Sequence, residues 1–202
     1  MTDSVRLTTP KGKLLWVNIV GQGMLNFNEN GNNYTASIVL SREDSKDLRE
    51  SIKSHYMEEK QKGNTFVSNG YKPCDEDGVA IDSDSSDYFS FNFKTNTVYP
   101  DGTQTVIDVY NSSAKKVELG DTRIGNGSIG AIGGSMRYYS VKKKDGVSLF
   151  LNNVQIISLV EYAESSGFET SEGGFTGVED PATGFTPQHE NKMTETAVKT
   201  RL

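Results

Sequence analysis

Between Tyr88 and Lys94 the chain alternates strictly: Phe89, Phe91 and Phe93 fill one set of positions, and Tyr88, Ser90, Asn92 and Lys94 the other. Successive strand side chains point to opposite faces, so this period of two predicts a strand with a phenylalanine core face and a polar outer face. The same period runs from Asn33 to Leu40, where Tyr34, Ala36, Ile38 and Leu40 share a face. "KLLWVNIV", residues 13–20, is aliphatic and aromatic and stops at Gly21-Gln22-Gly23, which predicts a strand. The two strands read as a hairpin whose connection, with Asn28, Asn30, Gly31 and Asn32, tolerates turn dihedrals. The period then changes. Leu48, Ile52 and Tyr56 recur every fourth residue, predicting one amphipathic helix that opens at Ser41, with Asp44 at the capping-box position, and finishes near Lys62-Gly63. His55 lies beside that stripe and reads as a boundary packing residue.

Residues 64–87 read as a long irregular insertion rich in acids (Asp75, Asp77, Asp82, Asp84, Asp87), without the ligand spacing, central glycine and closing glutamate of a calcium loop. After Pro100-Asp101-Gly102, Thr105–Tyr110 predicts a further strand. "GSMRYYSV" and residues 147–162 form a last hairpin around Lys142 to Gly146. The pattern totals about six strands and one helix. Gly125-Asn126-Gly127-Ser128-Ile129-Gly130 fits the G-x-G-x-x-G of dinucleotide loops, but such a loop needs a buried strand before it and a helix after it. Both flanks fail, since the entry is polar and the exit is strand-like. Glycines 125, 127, 130, 133 and 134 instead predict a sharply curved strand. The fold class expected is mainly β: an OB-fold-like antiparallel barrel with one inserted α-helix, an immunoglobulin-like sandwich being the alternative that the helix fits poorly.

Composition changes the picture at the C-terminal end. From residue 163 to 202 the chain carries seven acids against three bases and no apolar period, predicting a disordered acidic tail behind a domain of residues 1–162. The tail holds −4 of the net −6, leaving the domain almost neutral with 20 acids and 18 bases. Gly-Phe recurs in it at Phe168, Phe175 and Phe185, a repeat suited to holding a partner. Cys74 is the single cysteine, so no disulfide within the chain and no Cys/His zinc cluster is expected. The first apolar run is too short for a signal peptide or a membrane span. Two histidines and no convergent acid–base cluster give little from which to build an enzyme site, and no cofactor or metal is expected.

The closing block carries a resemblance. Ile124-Gly125-Asn126-Gly127-Ser128, then Val147 to Gln155, then Glu161-Tyr162 resemble the last strands of the single-stranded-DNA-binding proteins of tailed bacteriophages, and the earlier segments occur in the matching order over residues 10–180. The resemblance implies an OB fold that binds single strands without sequence preference during phage DNA replication, recombination and repair, in the cytoplasm of the infected bacterial host. It implies an acidic tail that competes with DNA and docks replication proteins such as polymerase and helicase-primase, and it allows a homodimer. Family tails end acidic with a terminal aromatic, whereas this chain runs on to Arg201-Leu202. The docking role therefore falls to Phe168, Glu169, Phe175, Glu179 and Asp180.

Such binding needs cations for phosphates and exposed rings for bases. Tyr88 and Lys94 occupy the polar face of their strand; Arg137 and Tyr139 share a face with Tyr138 opposite, one of the two tyrosines facing the core. Arg123, Lys142 and Lys143 bracket that strand, although the lysine run equally suits a solvated hairpin tip. Trp16 reads equally as core or as site. An RNA-binding OB protein and a phage structural or assembly protein are the alternatives.

Overall fold

The computed structural model describes residues 4–25, 31–83, 85–120 and 122–162. The predicted tail, the turn residues Asn28 and Asn30, and Asp84 lie outside them. The elements, in chain order, are β1 (Val5–Thr8), β2 (Gly12–Asn18), β3 (Met24–Leu25), β4 (Asn32–Ser41), α1 (Lys46–Glu59), β5 (Thr65–Ser68), β6 (Tyr71–Cys74), β7 (Tyr88–Asn96), β8 (Asp108–Tyr110), β9 (Lys116–Val117), β10 (Ile129–Val141) and β11 (Lys144–Ser158).

Five of these strands close on themselves. β2 pairs β4, β4 pairs β7, β7 pairs β11, β11 pairs β10 and β10 returns to β2. Numbered by their order along the chain, the five barrel strands run 1-2-3-5-4 and back to 1, with the β7–β11 seam parallel and the other four antiparallel. This is the five-stranded Greek-key barrel expected of an OB fold. The expected OB-fold-like antiparallel barrel is thus present with one parallel seam, and β5 and β8 also lie parallel to β11. The interior is filled by alternate residues: Phe91, Phe93, Ile38, Leu40 and Leu14 are almost wholly buried, joined by Ile132, Leu149 and Leu151.

β10 makes closure possible because it pairs with β1, β2 and β11. Its glycines are where other backbone comes too close for a side chain. A Cβ on Gly130 would land on the Gln155 carbonyl oxygen, and one on Gly134 on that of Phe150. The register against β11 shifts beside both, at Ile129/Gly130 and Gly133/Gly134, so the strand bends there as bulged strands do.

The helix begins later than the capping motif suggests. Ser41 Oγ does accept the Asp44 amide at 3.0 Å, but this closes a turn that the Ser45 amide continues, and regular helix starts at Lys46. Leu48 and Ile52 are buried as expected, as is His55, and α1 packs on β10 and β11. The region expected to be irregular, residues 64–87, contains β5 and β6, which extend the sheet along β11 and β7. The remainder of that region folds over the outer face of β2 and β4: Gly78 sits on Leu15 and Val39, and Lys13 meets Asp77 at 3.1 Å. Asp75 is occupied in the turn itself, accepting the Asp77 and Val79 amides.

Replacing Gly130 with alanine forces a Cβ against backbone that cannot retreat without opening the β10–β11 pairing. Urea unfolding of Gly130→Ala is expected to show a loss of about 2–4 kcal/mol, as overpacking and strain together produce.

Candidate nucleic-acid interface

The polar outer faces of β4 and β7 meet in register, with Thr35 opposite Lys94 and Ser37 opposite Asn92. The Ser37 hydroxyl donates to Asn92 Oδ1 at 2.6 Å. Where β7 gives way to β11 and β10, the face sinks into a groove of about 440 Å³ that Lys94, Asn92, Lys72, Tyr71, Tyr139 and Ser148 help to line. Lys94 and Tyr139, chosen on separate strands from the sequence, thus come to one groove. Lys72 and Tyr71 join them, and neither was foreseen because both sit in the segment expected to be irregular. Burial, followed by the nearby Asp145 charge, raises the Tyr139 hydroxyl above its ordinary value, so this ring stays neutral and can face a base.

Trp16 lies at the neighbouring edge and is 55% exposed, which settles its position at the surface. Between Leu15 and Asn18 the β2–β4 register gains one residue on β2, a bulge, and Trp16 adopts φ 46°. That left-handed conformation costs a bulky residue roughly 1–2 kcal/mol. The strain is held by Asn126, whose Oδ1 accepts the Trp16 amide at 2.7 Å, and by Thr35, whose hydroxyl donates to the Trp16 carbonyl at 3.4 Å. Trp16, Arg123, Asn126, Met24 and Tyr162 border a second concavity of about 470 Å³. Thr35 lines the groove and Trp16 the second concavity, so the hydrogen bond between these two residues joins the two.

The glycine string now has a structural task. Gly127 takes φ 92°, and its amide and the Ser128 carbonyl bracket Leu14 of β2. The buried Ser128 hydroxyl accepts the Val160 amide at 2.9 Å, and Ile124 bridges to Glu161. The two ends of the motif block thus bind each other.

Two expected contacts are corrected. Tyr138 is the inward tyrosine, 3% exposed, with its hydroxyl donating to Asp145 at 2.9 Å, so its ring has no face for a base. Tyr88 stands on the outer face of β7, but it is half-buried against Leu15, Val39 and Cys74 and lies outside the groove lining. Arg137 points outward and lies 5.5 Å over the Phe150 ring, outside the groove lining. Lys142 and Lys143 form the tip between β10 and β11. The tail residues Phe168, Glu169, Phe175, Glu179 and Asp180 fall outside the described residues. Among the described residues no helix is long and apolar enough to cross a membrane.

No protein-family model and no curated protein matches the chain. Solved structures do. The single-stranded DNA binding protein gp2.5 of bacteriophage T7 matches with a TM-score of 0.58 at 16% identity, over 82% of this chain and 98% of that one. A C-terminal truncation of the single-stranded DNA-binding protein of bacteriophage Enc34 matches with a TM-score of 0.52 at 10% identity, over 76% and 85% of the two chains. The chain shares its fold with these phage proteins. The resemblance read from Ile124–Ser128, Val147–Gln155 and Glu161-Tyr162 is thus matched by a likeness of backbone; what the groove holds has to be argued from its own residues.

The covered part of this face also fixes an alkaline limit. Burial, then the Asp75 charge, pushes the Cys74 thiol from 9.0 up to about 11, so the folded state keeps a proton that the unfolded chain releases. Stability against urea is expected to be level up to about pH 9 and to fall between pH 9 and 11, with Tyr71 and Tyr139, also raised by burial, adding in the same direction. At pH 8 a thiol reagent should label Cys74 only in denaturant.

Proposed function

We propose that this protein is a binding module rather than an enzyme, and that it holds single-stranded DNA across the outer face of its barrel without reading sequence. The observation that carries the reading is the line of Trp16 on β2, Thr35 on β4, Lys94 on β7 and Tyr139 on β10, with Ser148 of the intervening β11 lining the groove between the last two. It combines an exposed indole and a partly exposed phenol with a cation on the face that OB folds use for oligonucleotides. The fold shared with two phage single-stranded-DNA-binding proteins supports it. From β2 through β4, β7 and β11 to β10 the line crosses four strand spacings, about 19 Å, room for about five or six stacked nucleotides at 3.4 Å each. Rings stack on any base, and lysine meets any phosphate, so the arrangement tolerates all sequences. In this reading the protein protects and organises single strands in phage replication, recombination and repair inside the infected bacterium.

A fluorescence titration of Trp16 with thymidine oligomers over a salt series tests the reading. Quenching should accompany binding, and log affinity should fall linearly with log salt, with Lys94→Gln removing about 0.7 from the slope. Trp16→Gly relieves the left-handed strain, so it should weaken binding about tenfold without lowering stability. Absence of quenching and of salt dependence would overturn the reading. A matched RNA oligomer that competes better than DNA would move it to RNA.

The acidic residues 163–202, with Phe168, Glu169, Phe175, Glu179 and Asp180, are proposed to compete with DNA for the same cations and, once displaced, to dock replication proteins. Tethered carboxylates act at high effective concentration. Deleting residues 163–202 should therefore tighten binding at moderate salt, as read by anisotropy of a labelled oligomer; unchanged affinity would sink the competition.

A further inference from the structure

The tip between β10 and β11 is a two-residue turn in which both central residues are lysines in the left-handed region, Lys142 at φ 51° and Lys143 at φ 63°. Turns with two positive φ values strongly favour Asn-Gly, so two lysines here sit in a conformation that their own side chains oppose. The tip is held from behind. Asp145, only two residues past the turn, is completely buried, and its carboxylate accepts the Tyr56 hydroxyl at 3.1 Å and the Tyr138 hydroxyl at 2.9 Å. From the side, the Thr65 amide donates to the Lys143 carbonyl at 2.8 Å, and Asn64 Nδ2 donates to Ser140 Oγ at 2.8 Å. A solvated tip with no task needs neither the strain nor the anchor.

Beside this tip lies an aromatic ring that alternation did not single out. Phe66 of β5 is in register with Asp145, packs edge-on against Tyr56 with ring centroids 5.0 Å apart, and is 47% exposed. Ser68, two residues further along β5, lines the groove. The step between them is about 7 Å, or two stacked nucleotides. Residues 60–64 run alongside and bring Lys60 and Lys62 to the same end, opposed by Glu58 and Glu59.

We propose that Phe66 and the tip lysines Lys142, Lys143 and Lys144 form a second contact outside the groove, where a single strand leaving past Tyr139 and Ser68 stacks one base and sets down two or more phosphates. Asp145 is its positioning residue. The inference rests on the single-strand reading of the groove. Lysines surrounding the exposed ring favour a polyanion over an apolar protein partner.

The test uses the full chain and labelled thymidine oligomers of about six nucleotides, enough for the groove, and about twelve, enough for groove and tip. Phe66→Leu keeps the packing on Tyr56 but removes the ring; it should leave the short oligomer unchanged and weaken the long one about tenfold. The double variant Lys142→Asn/Lys143→Gly should lose about 1.4 from the salt slope with the long oligomer, while its melting temperature rises by about 2–4 °C as the turn relaxes. The charge-only pair Lys142→Gln/Lys143→Gln should lose the same slope without that rise. If the unmodified protein binds both oligomers and Lys94→Gln weakens both, yet Phe66→Leu and the tip variants bind both as the unmodified protein does, the second contact is overturned and the groove stands. Failure of the unmodified protein to bind either oligomer overturns both.

Discussion

Closure of the barrel through β10 is the constraint on which the other features depend. One strand has to pair with β1, β2 and β11, and that is possible only where Gly130, Gly133 and Gly134 let other chain approach. Closure divides every barrel strand into an inner and an outer set. The inner set is the phenylalanine and aliphatic core; the outer set of β4 and β7 is then left polar and in register, which is what makes a groove there. The same glycine-rich stretch sends Asn126 back to the Trp16 amide, so the segment that closes the barrel also fixes the one exposed indole.

Most of the core was legible because local alternation decides it. Phe89, Phe91 and Phe93, like Ala36, Ile38 and Leu40, are buried as the period of two requires, and Leu48 and Ile52 are buried as the helical period requires. The facing of Tyr138 and Tyr139 was not legible in the same way, because the bulge at Gly133/Gly134 resets the strand's register just before them. β5 and β6 escaped because "TFVS" and "YKPC" have no pattern of their own; they become strands by pairing with β11 and β7, far along the chain.

The site was legible in part for a related reason. Lys94 follows from its strand's outer face, whereas the sequence left Tyr138 and Tyr139 as a pair and only the fold separates them. Trp16 could not be placed, since its bulge is held by a side chain 110 residues away. Asp145-Gly146 resembles a turn in sequence, yet the hydroxyls of Tyr56 and Tyr138 draw Asp145 inside and move the turn to Lys142-Lys143. Tyr88 was sent outward correctly, but it packs on Leu15, Val39 and Cys74, and Gly78 of the acid-rich segment reaches the same Leu15 and Val39 from far along the chain.

Backbone strain sharpens the reading of these surfaces only when it is joined to the right side chains. Four described residues other than glycine take positive φ: Trp16, Ala114, Lys142 and Lys143. Ala114 sits in a turn that Asn111 Oδ1 organises by accepting the Ser113 and Lys115 amides, and its methyl offers a ligand nothing. Local hydrogen bonding explains it fully. The other three are exposed, bulky or charged, and held through partners distant in sequence: Asn126 for Trp16, Thr65 for Lys143, and Tyr56, which anchors the buried Asp145 behind the lysine turn. Strain that the surrounding fold maintains from a distance is the kind that clusters at binding sites, and on that ground these three displayed groups are proposed as contacts. An indole and two ammonium groups are what a single strand of nucleic acid asks of a surface, and all three are presented beside the barrel face that closure leaves open.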